Sequence, residues 1–131
     1  MAIDISPVAR EMARRTAQEK CLAIDCQEAD LERIELPKEY YDLVVNLNYL
    51  QRSLVPQIKK TLKPGGWVIF ETYLMDQSQV GGLINPDYLL RHNELLDLFR
   101  DFRVLYYHEE KFAQSREGAF RAALLAQKSQ P

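Results

Sequence analysis

Acidic and amide side chains stand where the sequence predicts that strands end. Asp4 closes the short apolar segment at the N-terminus and comes just ahead of Ser6 and Pro7. A carboxylate at the end of a first strand, ahead of a helix, can accept hydrogen bonds from both hydroxyls of a ribose. The same position suits an N-terminal cap of the helix beside Ser6, and the sequence leaves both roles of Asp4 open.

Two later groups of residues could contact a ligand in a similar way. Asp30, in an acidic loop, could accept a hydrogen bond from an adenine amino group while Leu31 lines the ring, although a loop aspartate is more often a solvated turn residue. Asn46, Asn48 and Tyr49 follow a buried strand, where polar side chains need a partner. Contact with a substrate or cofactor and simple capping of the strand explain them equally well.

The elements that must position these residues alternate along the chain. The strands predicted from apolar and β-branched runs are Met1–Ile5, Cys21–Ile24, Tyr41–Leu47 and Trp67–Tyr73. The predicted helices are Pro7 to about Glu19, with Val8, Met12, Ala13 and Thr16 along one stripe, then Arg52–Leu62, stopped by Pro64-Gly65-Gly66, and Asn93–Arg100. A hairpin is predicted at the end of the chain, from strands Phe102–Lys111 and Ala119–Lys128.

This order predicts the α/β class, with an open sheet, right-handed crossovers and a C-terminal antiparallel hairpin at one edge. In such sheets ligands bind at the carboxyl ends of the strands. The long segment Leu74–His92, which contains Gly81-Gly82 and Pro86, is expected to lie over a site rather than in the core.

Composition narrows the class of protein. The 131 residues predict a single domain, 1–131, and 47 % hydrophobic residues with 27 % charged residues are typical of a globular protein. A net charge of −2 argues against binding to nucleic acid or to an anionic membrane. Short apolar runs and the absence of a signal peptide predict a cytoplasmic protein. Cys21 and Cys26 are expected to be reduced core residues, and no metal site is predicted.

Four motifs in chain order carry a family resemblance. They are AIDIS-P-x-A-x-x-x-A at Ala2–Ala13, EADL at Glu28–Leu31, YDLVV at Tyr41–Val45 and LKPGGWVIFET at Leu62–Thr72. Together they resemble the class I S-adenosylmethionine-dependent methyltransferases, and most closely the small-molecule branch that includes tellurite-resistance-type enzymes. The resemblance covers nearly the whole chain and implies a Rossmann-like sheet.

The resemblance implies S-adenosylmethionine as the cofactor and assigns a part of it to each of several residues. Asp4 would hold the ribose hydroxyls and Ile5 would pack on the adenine. Asp30 would meet the adenine amino group and Leu31 the ring edge. The two residues near the methionine moiety and the transferred methyl would be Asn46 and Leu47.

A small-molecule methyl acceptor is the expected substrate. The side chains that could line its pocket are Tyr49, Arg52, Tyr73, Tyr88 and His92. A general base is not mandatory when the acceptor is already nucleophilic, because transfer then depends on positioning and desolvation. For His92, a cap or surface role is favoured over acid–base work.

The sequence also departs from the family. The glycine-rich G-x-G-x-G loop and the first strand–loop–helix unit are absent, and Gly81-Gly82 lies too far along the chain to substitute. In the family the missing strand stands between those carried here by Ala2–Ile5 and Tyr41–Leu47. These two strands must therefore pair directly or leave an edge for a second copy of the chain.

Two functions follow as expectations. The first is an S-adenosylmethionine-dependent methyltransferase, or an N-terminally truncated relative, whose cofactor binding is weak or absent. The second is a non-catalytic methyltransferase-like domain that serves binding or self-association through the open sheet, as a homo-oligomer.

Overall fold

A computed structural model describes residues 1–79, 85–110 and 119–131 of the chain. These residues divide into two compact units, Met1–Glu35 and Leu36–Pro131. The single domain predicted for the whole chain stays a prediction. In the part of the chain that the structure describes, no helix is long and apolar enough to cross a membrane.

The first unit contains one helix and two short parallel strands. Strand β1 (Ala2–Ile3) pairs with β2 (Cys26–Gln27), and helix α1 (Pro7–Glu19) lies between them in the chain. Pro7 occupies the first turn, and the Ser6 hydroxyl accepts the Ala9 N–H at 3.2 Å. This capping arrangement confirms the predicted start of the helix, and its end at Glu19 is also confirmed.

The second predicted strand, Cys21–Ile24, is wrong. The Leu22 N–H donates to the carbonyl of Ala17 at 2.7 Å, and Cys21 has a positive φ of 53°. Cys21 and Leu22 therefore belong to the turn that ends the helix, and β2 forms later, in the stretch predicted as loop. Cys21 is exposed and Cys26 half-buried, both as free thiols, so the prediction that they are core residues is also wrong.

The predicted apolar stripe of α1 is not buried. Val8 is 67 % exposed and Met12 64 % exposed, Thr16 is exposed as well, and Ala13 is half-buried. Ala17 is the one buried residue of residues 1–35, all of which the structure describes. The 3.6-residue period therefore identified the helix correctly without identifying a buried face.

The second unit is built on a four-stranded sheet with the order β3-β4-β6-β5. Its strands are β3 (Tyr41–Leu47), β4 (Leu62–Tyr73), β5 (Arg103–Glu110) and β6 (Arg121–Gln127). Strands β3 and β4 are parallel, whereas β6 runs antiparallel to both of its neighbours. The mixed α/β class and the C-terminal antiparallel pair are thus confirmed, and the residues joining β5 to β6 lie outside the described ones.

The two helices of this unit are shorter than predicted. A 3₁₀ helix at Arg52–Leu54 leads into α2 (Val55–Thr61), and α3 covers Glu94–Leu98. Helix α2 ends before the predicted glycine stop because Leu62 is already extended and opens β4. The Pro64-Gly65-Gly66 stretch instead interrupts the register of β4, which pairs Leu62 with Tyr41 and then Trp67 with Leu43.

The core of this unit lies on one face of the sheet. Phe99, just after α3, packs its ring 5.9 Å from Phe70 of β4 and 5.5 Å from Phe102. The other fully buried side chains are Leu62, Val68, Leu90, Leu95 and Leu124, with Thr61 and Thr72. Aromatic and aliphatic packing of this kind supplies most of the stability of a small sheet domain.

The segment Leu74–His92 is anchored in the core near both ends, so the prediction that it stays out of the core is wrong there, and its position over a site stays a prediction. Leu74, Leu89 and Leu90 are buried, and Leu74 and Leu90 form an isolated parallel bridge. Two 3₁₀ helices, Met75–Gln79 and Pro86–Tyr88, occupy the described part of the segment. Gly81-Gly82 lies outside the described residues.

The other face of the sheet is apolar and exposed along β3. Leu43, Val45 and Leu47 point to this face, and each is about half exposed. Among the described residues β3 pairs with β4 alone, and no ladder joins it to β1. Within the sheet of this unit β3 is therefore an edge strand, and the direct pairing of Ala2–Ile5 with Tyr41–Leu47 that the sequence allowed stays a prediction.

Candidate functional site

Asp4 lies directly after β1, at the start of α1. Its Oδ1 accepts the Ser6 N–H at 2.7 Å, and the residue is exposed. The sequence left open a ribose contact and a capping role for Asp4. The structure shows the second, because Asp4 closes the turn that precedes the helix cap. Contact with a ribose stays a prediction for Asp4, as does contact with an adenine for the exposed Ile5.

Arg10 is a site residue that the sequence did not reveal. Its Nη1 donates to the carbonyls of Asp4 and Ile5, both at 3.0 Å, and its Nη2 donates to Glu28 Oε2 at 2.6 Å. Its side chain is only 11 % exposed. Arg10 thus ties together the carboxyl ends of β1 and β2, and no local spacing links it to Glu28.

Asp30 and Leu31 are both half-buried in a turn after β2. Asp30 Oδ1 accepts the Glu32 N–H at 2.9 Å, and its Oδ2 lies 3.7 Å from Arg33 Nε. The turn role that the sequence considered is therefore present. The contacts of Asp30 and Leu31 with adenine stay predictions.

In the second unit, Asn46 and Asn48 shape the loop at the carboxyl end of β3. Asn46 Nδ2 donates to the carbonyl of Tyr49 at 2.7 Å. Asn48 has a φ of 55°, and its N–H donates to the carbonyl of Glu71 on β4 at 2.9 Å. Asparagine tolerates this left-handed conformation better than most residues, which explains its place here. Leu47 between them is exposed.

Arg121, the first residue of β6, joins three residues at this edge. Its Nη1 donates to Asn48 Oδ1 and, at 3.2 Å, to Glu71 Oε1. Its Nη2 donates to the Tyr73 hydroxyl at 3.0 Å, and the guanidinium lies 4.5 Å from the centre of the Tyr73 ring. The sequence missed Arg121 and Glu71, because only the pairing of β6 with β4 brings residues so distant in the chain together.

Arg52 is already fully engaged by protein groups. Its Nε donates to Glu94 Oε1 at 2.5 Å and its Nη2 to Glu94 Oε2 at 3.0 Å. The same guanidinium donates to the carbonyls of Asp87 at 2.8 Å and Leu89 at 3.0 Å. Arg52 therefore holds residues 87–94 in place, and its predicted contact with an acceptor would require some of these bonds to open.

Glu94 is a buried acid whose charge is balanced. Its side chain is 3 % exposed, and burial alone would favour the neutral form. The hydrogen bonds from Arg52 and from the Arg91 N–H, with the charges of both arginines, outweigh burial and hold the pKa of Glu94 below its usual value. The Arg52–Glu94 pair therefore stays charged and holds in place the segment that carries Tyr88 and His92.

His92 and Asp76 form an ion pair after β4. His92 Nε2 lies 2.5 Å from Asp76 Oδ2. This hydrogen bond and the charge of Asp76 raise the pKa of the His92 imidazole above its usual value, with a smaller contribution from Glu109. Asp76 and Glu109 were both missed from the sequence.

The remaining predicted acceptor residues lie at different places in the second unit. The Tyr49 hydroxyl donates to Gln51 Oε1 at 2.7 Å, and Tyr88 is exposed in its 3₁₀ helix. The structure thus joins Asn48 to Tyr73 through Arg121, and ties Arg52 to the segment of Tyr88 and His92. Among the described residues, no group of three or more His, Cys, Asp or Glu side chains could hold a metal ion.

The model of a methyltransferase-domain family matches residues 1–70, slightly more than half of the chain. The chain belongs to the class I S-adenosylmethionine-dependent methyltransferase family. The family that the sequence resembles is therefore confirmed. No protein with curated information matches the chain.

Solved structures of low sequence identity share the fold. TehB from Haemophilus influenzae is 20 % identical with a TM-score of 0.75, and the match covers 97 % of this chain and 49 % of TehB. The cyclase SpnF is 17 % identical with a TM-score of 0.73, covering 98 % of this chain and 65 % of SpnF. A Methanosarcina mazei protein described as an S-adenosylmethionine-dependent methyltransferase is 16 % identical with a TM-score of 0.70, covering 98 % and 81 %.

These likenesses confirm the Rossmann-like methyltransferase fold. The chain spans about half the length of TehB and about two thirds of SpnF. Since SpnF is a cyclase, the fold by itself does not fix the reaction.

Proposed function

We propose that this domain transfers a methyl group from S-adenosylmethionine to a small molecule. The observation that carries the proposal is the family match over residues 1–70, which spans all the predicted cofactor contacts. These contacts are Asp4, Ile5, Asp30, Leu31, Asn46 and Leu47. When bound, the cofactor would supply an activated methyl group on a sulfonium sulfur.

The adenosine end fits the residues of the first unit. The Ser6 N–H fixes one Asp4 oxygen at 2.7 Å, which orients the exposed carboxylate at the carboxyl end of β1. Ile5 beside it presents an exposed apolar side chain suited to one face of an adenine. Asp30 offers carboxylate oxygens to the amino group, with Leu31 as its apolar neighbour in the turn.

Fewer residues of this chain are available to bind the methionine end of the cofactor. Asn46 and Leu47 lie at the carboxyl end of β3, but the printed 131 residues contain no G-x-G-x-G. The backbone N–H groups of such a loop approach the cofactor in the family, and Gly65-Gly66 serves the register of β4 instead. We therefore expect this chain to bind S-adenosylmethionine weakly.

The acceptor would meet the carboxyl edge of the sheet in the second unit. Tyr73 is the best-positioned side chain there, since its ring and hydroxyl are both fixed by Arg121. Tyr49, Tyr88 and His92 are further proposed contacts. Arg52 is also a proposed acceptor residue. Its guanidinium holds the segment that carries Tyr88 and His92 through hydrogen bonds to backbone carbonyls.

Calorimetric titration with S-adenosylmethionine and S-adenosylhomocysteine tests this function. Asp4→Ala should weaken binding most, because two charge-assisted hydrogen bonds of roughly 1.5–3 kcal/mol each are lost before compensation. Asp30→Ala should cost less, since one hydrogen bond is lost in a more solvated turn. Asp25→Ala, an exposed acid of the same unit, is the matched control and should change nothing.

Equal losses for all three variants would contradict the assignment of Asp4 to the ribose. No heat and no competition by S-adenosylhomocysteine, even at millimolar concentrations, would contradict the proposed function itself.

A second candidate function is self-association without catalysis. The observation that favours it is the edge strand β3, whose Leu43, Val45 and Leu47 expose an apolar face. We expect the chain to elute as a dimer or larger species, and Val45→Lys to shift it toward monomer. Leu105→Lys on the other edge strand, β5, is the control and should not. A monomer at all concentrations would reject this candidate.

A further inference from the structure

We propose that His92, oriented by Asp76, is the general base that removes a proton from the methyl acceptor. The acceptor is then a protic nucleophile, such as a phenol, hydroxyl or amine. This inference rests on the proposed methyltransferase function and names the class of its substrate.

The ion pair fixes which nitrogen of His92 can act. Nε2 lies 2.5 Å from Asp76 Oδ2, and an ionised carboxylate only accepts hydrogen bonds. Nε2 therefore carries the proton of the neutral ring, which leaves the lone pair on Nδ1. A carboxylate that holds one imidazole nitrogen and leaves the other basic is the arrangement of acid–base dyads in general.

The backbone holds this dyad at the carboxyl end of β4. The Leu90 N–H donates to the carbonyl of Tyr73 at 2.9 Å, and the Met75 N–H donates to the carbonyl of Leu90 at 2.8 Å. Asp76 and His92 follow these anchored residues directly. The pair thus lies at the same edge of the sheet as Tyr73, a proposed acceptor contact, and carboxyl edges are where ligands bind in such sheets.

Stability does not account for the pair. His92 is 54 % exposed and Asp76 25 % exposed, and ion pairs with this exposure contribute little to folding. The chain's other histidine, His108, is exposed on β5 beside the Tyr106 ring, and none of the described residues gives it a carboxylate partner. His92 therefore has the carboxylate partner that a general base needs, and His108 serves as the control.

Three elements place charged groups around His92. Asp76 comes from the 3₁₀ helix after β4, Glu109 from β5, and Arg91 and the buried Glu94 from its own segment and α3. Glu109 also accepts the Asn93 N–H and the Tyr107 hydroxyl, which fixes its position. Because the two carboxylates raise the pKa of His92, the neutral base is the major form only above the usual pKa of a histidine.

The proposed step balances without another reactant. As the acceptor oxygen or nitrogen forms its bond to the methyl carbon, the sulfur–methyl bond breaks and its electron pair stays on sulfur. The acceptor's O–H or N–H bond breaks, and its proton moves to Nδ1 of His92, which then releases it to water. An anion with no proton to lose would need no such base.

The first test uses nitrogen-15 NMR of the full chain without cofactor. His92 should titrate above the ordinary range of a histidine, with the Nε2–H tautomer above its pKa, and Asp76→Asn should lower the pKa of His92. If the pKa of His92 is not raised, or if Asp76→Asn does not lower it, the dyad is overturned, whatever the outcome with cofactor.

The second test compares two acceptors with S-adenosylmethionine present: phenol, which must lose a proton, and iodide, which has none. His92→Gln should slow transfer to phenol by at least about 100-fold more than it slows transfer to iodide. Asp76→Asn should move the pH midpoint of phenol methylation downward, and His108→Gln should change neither reaction.

Equal slowing of both acceptors by His92→Gln would assign His92 a positional role and overturn the base. Failure to bind S-adenosylmethionine would count against the proposed function instead, and the NMR titration would then decide the dyad alone.

Discussion

The two units of this chain stabilise their structures by different means. In Leu36–Pro131 a sheet packs one face against Phe99 and its buried aliphatic neighbours. In Met1–Glu35 Ala17 alone is buried, while Ile5, Val8 and Met12 are exposed. The first unit is therefore held by the Ser6 cap, by Arg10 and by a two-residue strand pair, whereas the second has a hydrophobic core.

This difference separates the two proposed parts of the function. The residues assigned to adenosine belong to the unit with little core, and those assigned to the acceptor belong to the unit with a large one. Local opening should be frequent in the first unit and rare in the second, because few buried contacts oppose it there.

The largest expected effect is in the core of the second unit. Phe99→Ala should lower its free energy of unfolding by about 3–5 kcal/mol, since a large buried ring is lost. Met12→Ala in α1 should change the measured free energy of unfolding by less than about 0.5 kcal/mol. Urea unfolding followed by the fluorescence of Trp67, the single tryptophan and part of β4, measures both. Comparable losses would contradict the contrast between the units.

The Arg52–Glu94 pair should have the next largest effect. Arg52→Met removes hydrogen bonds to a buried carboxylate and should cost about 2–3 kcal/mol at neutral pH. Lys63→Met, which breaks the exposed pair with Asp42, should cost less than about 1 kcal/mol. The same urea experiment checks both variants, and an equal cost would show that burial of Glu94 adds nothing.

The pH dependence of this pair has a definite sign. The folded pKa of Glu94 lies below its ordinary value of 4.5, so its contribution to stability is present above 4.5 and is lost as pH falls through the folded pKa. The difference between the wild type and Arg52→Met should therefore shrink in acid. A difference that persists well below pH 4.5 would contradict the assignment.

The smallest expected effect concerns the helix cap of the first unit. Ser6→Ala removes the acceptor of the Ala9 N–H and should lower the stability of α1 by about 1 kcal/mol. Amide exchange in α1 should then accelerate about fivefold while exchange in β4 and β6 is unchanged. Unchanged exchange in α1 would show that the cap contributes nothing.

Much of the fold could be predicted because local chemistry determined it. Ser6 and Pro7 specify a helix start, and the apolar run Tyr41–Leu47 specifies a strand without help from distant residues. The prediction that this strand is buried is wrong, because none of its residues is buried in the structure. The second strand was predicted at Cys21–Ile24 because this run is apolar. In the structure the Leu22 N–H instead donates to a carbonyl at the end of α1. Apolar character alone could not show this.

The candidate site was predictable only where its residues follow strands. Asp4, Asn46 and Asn48 stand at strand ends, and the sequence shows this directly. Arg10 and Arg121 were missed because their partners come from tertiary pairing. Arg52 was found, but its engagement with Glu94 depends on the packing of α3 and could not be read from spacing.

Hydrogen exchange with and without S-adenosylhomocysteine tests the central claim, that this methyltransferase-family chain holds the cofactor through its weakly packed first unit. The account predicts that saturating ligand slows exchange at Asp4–Ser6 and around Asp30, while β4 and β6 exchange slowly in both states. No slowing in Met1–Glu35 at millimolar ligand, or slowing confined to β4 and β6, would contradict it.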